Sequence, residues 1–172
     1  MQAQGQFPSQ KRPIKESVAL VTMWVLAALE EDSHNPQVND SFARAHRFLN
    51  EFGGKSNEWL AWRSITANLD ADRRKFVERL LKNQHEDGSL GWSGKQPGNV
   101  YITGVALFAL TSAEYVSNDR TDSKEIGKAR NAAVNYLLEK QQEEGYWLQS
   151  SKPITNKASE SHDYIYQYWS TA

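Results

Sequence analysis

The sequence predicts an all-α fold of about six or seven helices paired into hairpins. Two observations carry that expectation. Stretches that are apolar on every side, Val18 to Leu29 and Val105 to Leu110, alternate with stretches bearing a single apolar stripe. Such alternation describes an inner layer of helices sheathed by an outer one. A helix-end motif also recurs: Leu80-Leu81-Lys82-Asn83-Gln84-His85-Glu86-Asp87-Gly88-Ser89-Leu90-Gly91-Trp92 returns, shortened, as Leu137-Leu138-Glu139-Lys140-Gln141-Gln142-Glu143-Glu144-Gly145-Tyr146-Trp147.

Residues 1–16 read as a flexible tail, Gln-rich and without periodicity through Pro13. Ser17 is the expected N-cap of the first helix, Val18 to Leu29, whose all-round apolarity suits a helix surrounded by protein. At 12 residues this run is too short to span a bilayer. Lys11, Arg12 and Lys15 upstream, with Ala27 and Ala28 near its end, give it some likeness to a signal-peptide core, but Glu16 sits in the wrong place for one. Glu30 to Asp40, containing Asn35-Pro36, is expected as a loop. Asp40 or Ser41 then caps a helix whose Phe42, Ala45, Phe48, Leu49 and Phe52 form one stripe, ended by Gly53-Gly54.

The next pair has a helix from Asn57 to Leu69, with Trp59, Trp62, Ile65, Thr66 and Leu69 on one face. Asp70 or Asp72 is placed to cap its partner, which buries Phe76, Val77, Leu80 and Leu81 and turns Arg73, Arg74, Lys75, Glu78, Arg79 and Lys82 to solvent. A third pair sets Val105 to Leu110 inside, Ser117 to Lys124 as a polar loop, and Ala129, Ala132, Ala133, Tyr136 and Leu137 as the outer stripe. A polar linker, Gln149 to Ser161, leads to Tyr164-Ile165-Tyr166-Gln167-Tyr168-Trp169, expected to open a fourth inner helix. Its abrupt end suits a fragment or a helical stub.

The recurring motif has a local physical sense. A helix ends with unsatisfied carbonyls, and a glycine just beyond it can adopt the left-handed conformation that closes the last turn. Gly88 and Gly145 are placed for that. The Gln84 and Gln142 amides, each four residues after a leucine expected to be buried (Leu80, Leu138), can donate to loop carbonyls. Trp92 and Trp147 are expected to fold back as lids over the helix end.

Twenty basic and 21 acidic residues leave a net charge of -1, so there is no electrostatic footprint for nucleic acid. The absence of cysteine excludes disulfides, thiolate zinc and a cysteine nucleophile, and leaves the compartment open. His34, His46, His85 and His162 show no i, i+4 pairing of the kind a helical zinc site uses. Gly88, Gly91, Gly94 and Gly98 lack the Lys-Ser/Thr ending of a phosphate loop. No cofactor or metal is therefore expected.

The repeated Gln…Gly…Trp stretches, Gln84-Gly88-Trp92 and Gln142-Gly145-Trp147, resemble the Gln-Trp repeats of squalene-hopene cyclases, oxidosqualene cyclases and protein prenyltransferase β subunits. Thr103 to Leu110 resembles the inner helix that follows in that superfamily, as does the fragmentary Trp169-Ser170-Thr171-Ala172. The resemblance covers residues 17–172, more strongly in the second half, and implies an α/α toroid, here half a toroid or an open αα superhelix. Those cyclases carry their proton donor in an Asp-x-Asp-Asp-Thr-Ala motif at an inner-helix start. Aligning Thr103-Gly104 with its Thr-Ala places Asn99, Tyr101 and Ile102 at the acid positions; aligning Thr171-Ala172 places Gln167, Trp169 and Ser170 there. Neither register holds a carboxyl, which a general acid requires. The prenyltransferase zinc site, built on Asp, Cys and His, lacks its cysteine.

These observations favour a non-catalytic interaction or scaffold module, docking on a protein partner, a missing domain or another copy of itself. The enzymatic alternative is a prenyl- or terpenoid-processing domain whose acid lies outside this chain. It would need an aromatic cavity able to take an apolar small molecule, with Trp59, Trp62, Arg63, Tyr101, His162, Asp163, Tyr164 and Trp169 as candidate lining. Each has a structural alternative: helix packing for the rings, a side chain snorkelling to solvent for Arg63, and an N-cap with a solvated imidazole for His162-Asp163. A carbohydrate-processing toroid, with paired carboxylates drawn from Glu86-Asp87, Glu143-Glu144 or Asp163, is a weaker third option.

Overall fold

The computed structural model describes residues 14–32, 34–67, 69–94, 96–116 and 120–148. These residues form six helices, α1 Ile14–Ala28, α2 Pro36–Glu51, α3 Asn57–Ile65, α4 Asp70–Asn83, α5 Val100–Val116 and α6 Arg120–Lys140, with a 3-10 turn at Glu30–Asp32. There is no strand among them, so the fold is all-α as the sequence predicts. The chain divides into two compact units, Met1–Gly54 and Lys55–Ala172.

In the first unit α1 begins at Ile14, so Ser17 lies inside the helix rather than capping it. Ile14 to Glu16 contain no glycine or proline to prevent that extra turn. α2 likewise begins earlier than expected, at Pro36. Proline is pre-organised for the first helical position, where its missing N–H is not needed, and the Asn35 carbonyl accepts from Val38 and Asn39 N–H at 2.9 and 3.0 Å. The loop is correspondingly short, and Asp40 and Ser41 sit on the helix surface, where both accept from Arg44. The expectation of all-round burial for α1 is overturned. Ala19, Leu20, Met23 and Leu26 are buried, whereas Val18, Val21 and Val25 are 51%, 58% and 51% exposed.

In the second unit α3 and α5 pack side by side, α4 packs against α3, and α6 against α5. Ser56 Oγ caps α3 by accepting from Trp59 N–H at 3.0 Å. The helix stops at Ile65, short of Leu69, because its terminal carbonyls find other partners. Thr66 Oγ1 donates to the Trp62 carbonyl, and Arg73 reaches back to the Ser64 and Ala67 carbonyls at 3.1 and 3.0 Å. Leu69 occupies the N-cap of α4 with no side-chain cap, so Asp70 and Asp72 act through the first turn's dipole instead. Arg74, Lys75, Glu78, Arg79 and Lys82 are exposed as expected, whereas Arg73, expected in solvent, is half-buried by its reach to the end of α3. α6 begins at Arg120, so much of the stretch expected as a polar loop is helical. Val77, Leu110, Ala113, Ile126 and Ala129 form a core cluster joining α4, α5 and α6, with Leu81 packed against it.

The two helix-end turns superpose in hydrogen bonding, with a different register from the one the tryptophans suggest. After α4, Gly88 N–H donates to His85 O at 2.9 Å and His85 N–H to Ser89 O at 2.9 Å; after α6, Gly145 N–H donates to Gln142 O at 2.9 Å and Gln142 N–H to Tyr146 O at 2.8 Å. Both glycines are left-handed, with φ of 85° and 93°. The side chain of Gln84 donates to Gly88 O at 2.9 Å, and that of Gln141 donates to Gly145 O at 2.8 Å. Gln141, rather than Gln142, is thus the counterpart of Gln84, and the turns repeat at a spacing of 57 residues without a gap. Gln142 donates instead to the Lys140 carbonyl, at 3.2 Å. Leu137 matches the buried Leu80, while Leu138, expected to be buried, is 61% exposed.

The tryptophans are not equivalent. Trp147 falls at the position of Leu90 and donates through Nε1 to Leu137 O at 2.6 Å, folding back over its own helix end. Trp92 lies two residues further on; its carbonyl receives Asn57 N–H at 2.9 Å and its ring lies 6.1 Å from that of Tyr101.

One contrast separates conformation from packing. A Cβ at Gly88 would stand 2.2 Å from the Ala132 carbonyl oxygen, whereas one at Gly145 meets nothing within 4 Å. Both substitutions to alanine pay for positive φ, about 1–2 kcal/mol. Gly88→Ala must in addition push α6 away, a further cost of about 1–3 kcal/mol. Urea unfolding should therefore rank Gly88→Ala well below Gly145→Ala in stability.

Candidate functional site

Polar groups of the second unit concentrate where α3 and α5 begin and where the Gln84–Asn99 loop passes between them. Asn57 is fully buried and donates through Nδ2 to Gly91 O at 2.9 Å; its Oδ1 accepts from Asn83 Nδ2 at 2.7 Å. Asn99 caps α5, its Oδ1 accepting from Ile102 N–H at 3.0 Å. Thr103 Oγ1 donates to Asn99 O at 2.7 Å and accepts from Leu90 N–H at 2.9 Å. Each bond satisfies a buried loop group that would otherwise be stranded from water. Asn99 and Ile102, two of the positions where the cyclase motif would carry acids, are thus both committed to opening a helix.

The third such position, Tyr101, leads to a carboxyl that sequence reasoning missed. Its hydroxyl donates to Glu58 Oε1 at 2.8 Å, and Glu58 is 1% exposed in the first turn of α3. A helix N-terminus favours a carboxylate there. No sequence signal joins these residues, because they stand 43 positions apart on different helices.

The described members of the predicted cavity set lie in separate packing contacts. Trp59, 4% exposed, meets Phe76 of α4 edge-on at 5.4 Å and 87°. Trp62 meets Phe108 of α5 at 6.4 Å and 62°. The Tyr101 ring lies 6.1 Å from Trp92. Arg63 does not snorkel to solvent: it is 4% exposed, with its guanidinium carbon 5.9 Å from the Trp59 ring centre and 5.1 Å from that of Phe76. Burial holds its pKa below the ordinary arginine value, and the charge of Asp72 opposes that shift. Such cation–π contacts offset part of the desolvation cost. His162, Asp163, Tyr164 and Trp169 lie outside the described residues.

An open apolar groove occurs instead in the first unit. It measures about 510 Å³ and is lined chiefly by Val18, Val21, Val25 and Leu26 of α1, by Leu29 just after it, and by Phe42 of α2. The sequence signal was the all-round apolarity of α1, which was taken as burial. Among the described residues, no three His, Asp or Glu side chains are grouped to hold a metal ion. No described helix is long and apolar enough to cross a membrane. The chain matches no protein-family model, and no curated protein or solved structure is significantly similar to it.

Two outcomes follow from the polar cluster. Tyr101→Phe leaves the buried Glu58 carboxylate short of one donor and should lower unfolding stability by about 1–3 kcal/mol in urea titration, while Glu58→Gln, which can still accept, costs less. Asp87 has a pKa below its ordinary value, first because Ser89 Oγ donates to it at 2.7 Å. A depressed carboxyl pKa stabilises the fold above the unfolded value, near 3.9, and that contribution is lost as pH falls through the folded value. The stability difference between wild type and Asp87→Asn, measured by denaturation from pH 7 downward, should shrink below about pH 4.

Proposed function

We propose that this chain is a non-catalytic interaction or scaffold module of helical hairpins. The observation that carries this is the exposed apolar groove of the α1–α2 hairpin, whose valines stand more than half exposed. Exposed contiguous apolar surface in a folded chain marks a place where another molecule packs. Asn57, Asn99 and Thr103 support the same view, since their side chains cap helices and fasten loops. The resemblance to the Gln-Trp repeats of terpenoid cyclases and prenyltransferases is part of the proposal at the level of architecture: stacked hairpins arranged as a partial α/α toroid.

The competing proposal is a prenyl- or terpenoid-processing domain. One observation favours it, the buried Glu58 beside Tyr101 and the inner-helix aromatic rings. Against it stands the packing of Trp59 on Phe76 and of Trp62 on Phe108, which engages both rings with neighbouring helices.

The two separate cleanly by experiment. An environment-sensitive apolar dye should brighten on binding the wild-type groove, and Val21→Glu should cut that signal several-fold. Incubation with squalene or with allylic isoprenyl diphosphates, followed by product analysis, should show no turnover. Product formation that disappears in Glu58→Gln would replace the module with the enzyme.

A further inference from the structure

The α1–α2 groove is apolar along its length and acidic at one end. Its α1 wall runs from Val18 through Val21 and Val25 to Leu29, with Phe42 facing it from α2. No residue from Val18 to Leu29 carries a charge. At 1.5 Å per residue the wall is about 16 Å long, or about three helical turns, the span over which a partner helix presents apolar side chains at i, i+4 and i+7.

Glu30, Glu31 and Asp32 follow Leu29 directly as a 3-10 turn, and all three are exposed. Asp32 N–H donates to Leu29 O at 3.0 Å, which holds the turn against the end of the groove. Among the described residues, no salt bridge engages these acids. Asp40, beside the groove-lining Ser41, is already paired with Arg44. α1 ends at Ala28, so the negative pole of its dipole adds to the same field.

An occupant that matches both features is apolar over about three turns and cationic beyond one end. An anionic bilayer would bring its head groups against the acids, and a bare hydrocarbon chain would leave them without a role. We propose that the groove receives an amphipathic helix of another protein: its apolar ridge seats between Val18, Val21, Val25 and Phe42, and lysine or arginine side chains beyond the ridge pair with Glu30, Glu31 and Asp32. Burial of the ridge supplies the affinity, and the acids supply the choice of partner. The inference rests on the interaction-module proposal and gives the module's partner.

The test titrates the full chain into two dye-labelled helical peptides. Both carry the same leucine ridge of about three turns; beyond it one has a pair of lysines and its twin a pair of glutamates. Fluorescence anisotropy should show the lysine peptide binding about ten-fold more tightly at low ionic strength, as a few exposed charge pairs of modest strength allow. Added salt should narrow that gap. Val21→Glu should weaken both peptides by more than about ten-fold, since it sets a charge in the apolar wall. The combined variant Glu30→Gln, Glu31→Gln, Asp32→Asn should keep binding and lose the preference. All four positions are exposed, so circular dichroism should show unchanged helix content.

Failure of both peptides to bind, equal affinity for the twins, a preference that survives the combined variant, or tight binding to Val21→Glu would each overturn the proposal. So would sedimentation with phosphatidylserine vesicles, or self-association in light scattering that Val21→Glu abolishes, which would make a bilayer or a second copy the occupant. Twins that bind alike while the apolar dye still depends on Val21 would remove this partner and leave the module standing. Turnover of isoprenoids dependent on Glu58 would instead remove the module itself.

Discussion

One amide nitrogen ties the second unit together. Gln84 Nε2 donates both its hydrogens, one to the Gly88 carbonyl in its own turn and one to the Ala129 carbonyl 45 residues further along, each at 2.9 Å. The first bond shapes the end of α4; the second fixes where α6 lies. Because the amide has a short reach, α6 must come close enough for its backbone to touch the turn. That proximity dictates glycine at position 88 and small residues at 129 and 132. Serving both a turn and a neighbouring helix through one planar group couples local and long-range structure, so neither can shift without leaving a buried donor or acceptor unmet.

The fold class was legible because helical periodicity and glycine-terminated ends are properties of short segments. Stacking of α3 on α5, each with its outer partner, follows the alternation of apolar and striped segments. Register was harder. Matching Gln142 to Gln84 came from counting back from the tryptophans, but Trp147 occupies the place of Leu90, and the ungapped spacing of 57 residues makes Gln141 the counterpart. Backbone geometry is set by the glycine and by the glutamine four residues before it, which the tryptophan spacing does not report. Helix starts are displaced for a similar reason: Asp and Ser near a start read as caps, whereas Pro36 and the unbroken Ile14 to Glu16 stretch extend the helices past them.

The candidate residues of the sequence end in separate packing contacts, and the charged ones carry no periodic signal at all. Trp59 and Trp62 share a helix face in the sequence, yet Trp59 packs on Phe76 of α4 and Trp62 on Phe108 of α5, while Tyr101 packs on Trp92. Arg63 was expected at the surface because long basic side chains commonly reach water, and its burial between two rings depends on Phe76 arriving from α4. Glu58 had no periodic signature at all. Its burial depends on Tyr101 from another helix, a pairing that only the assembled loop and helix ends create.

Repeat architecture turns these local facts into a statement about surfaces. In a stack of hairpins each unit buries its side against the next, so stability and solubility both depend on what lies at the open faces. Leu81 is inside because α6 covers it; Leu138 occupies the same structural position and is outside. Nothing in the side chain itself decides between the two, since both are leucines at the same distance before an equivalent glutamine. Among the described residues, a helix lies over the first turn and none over the second.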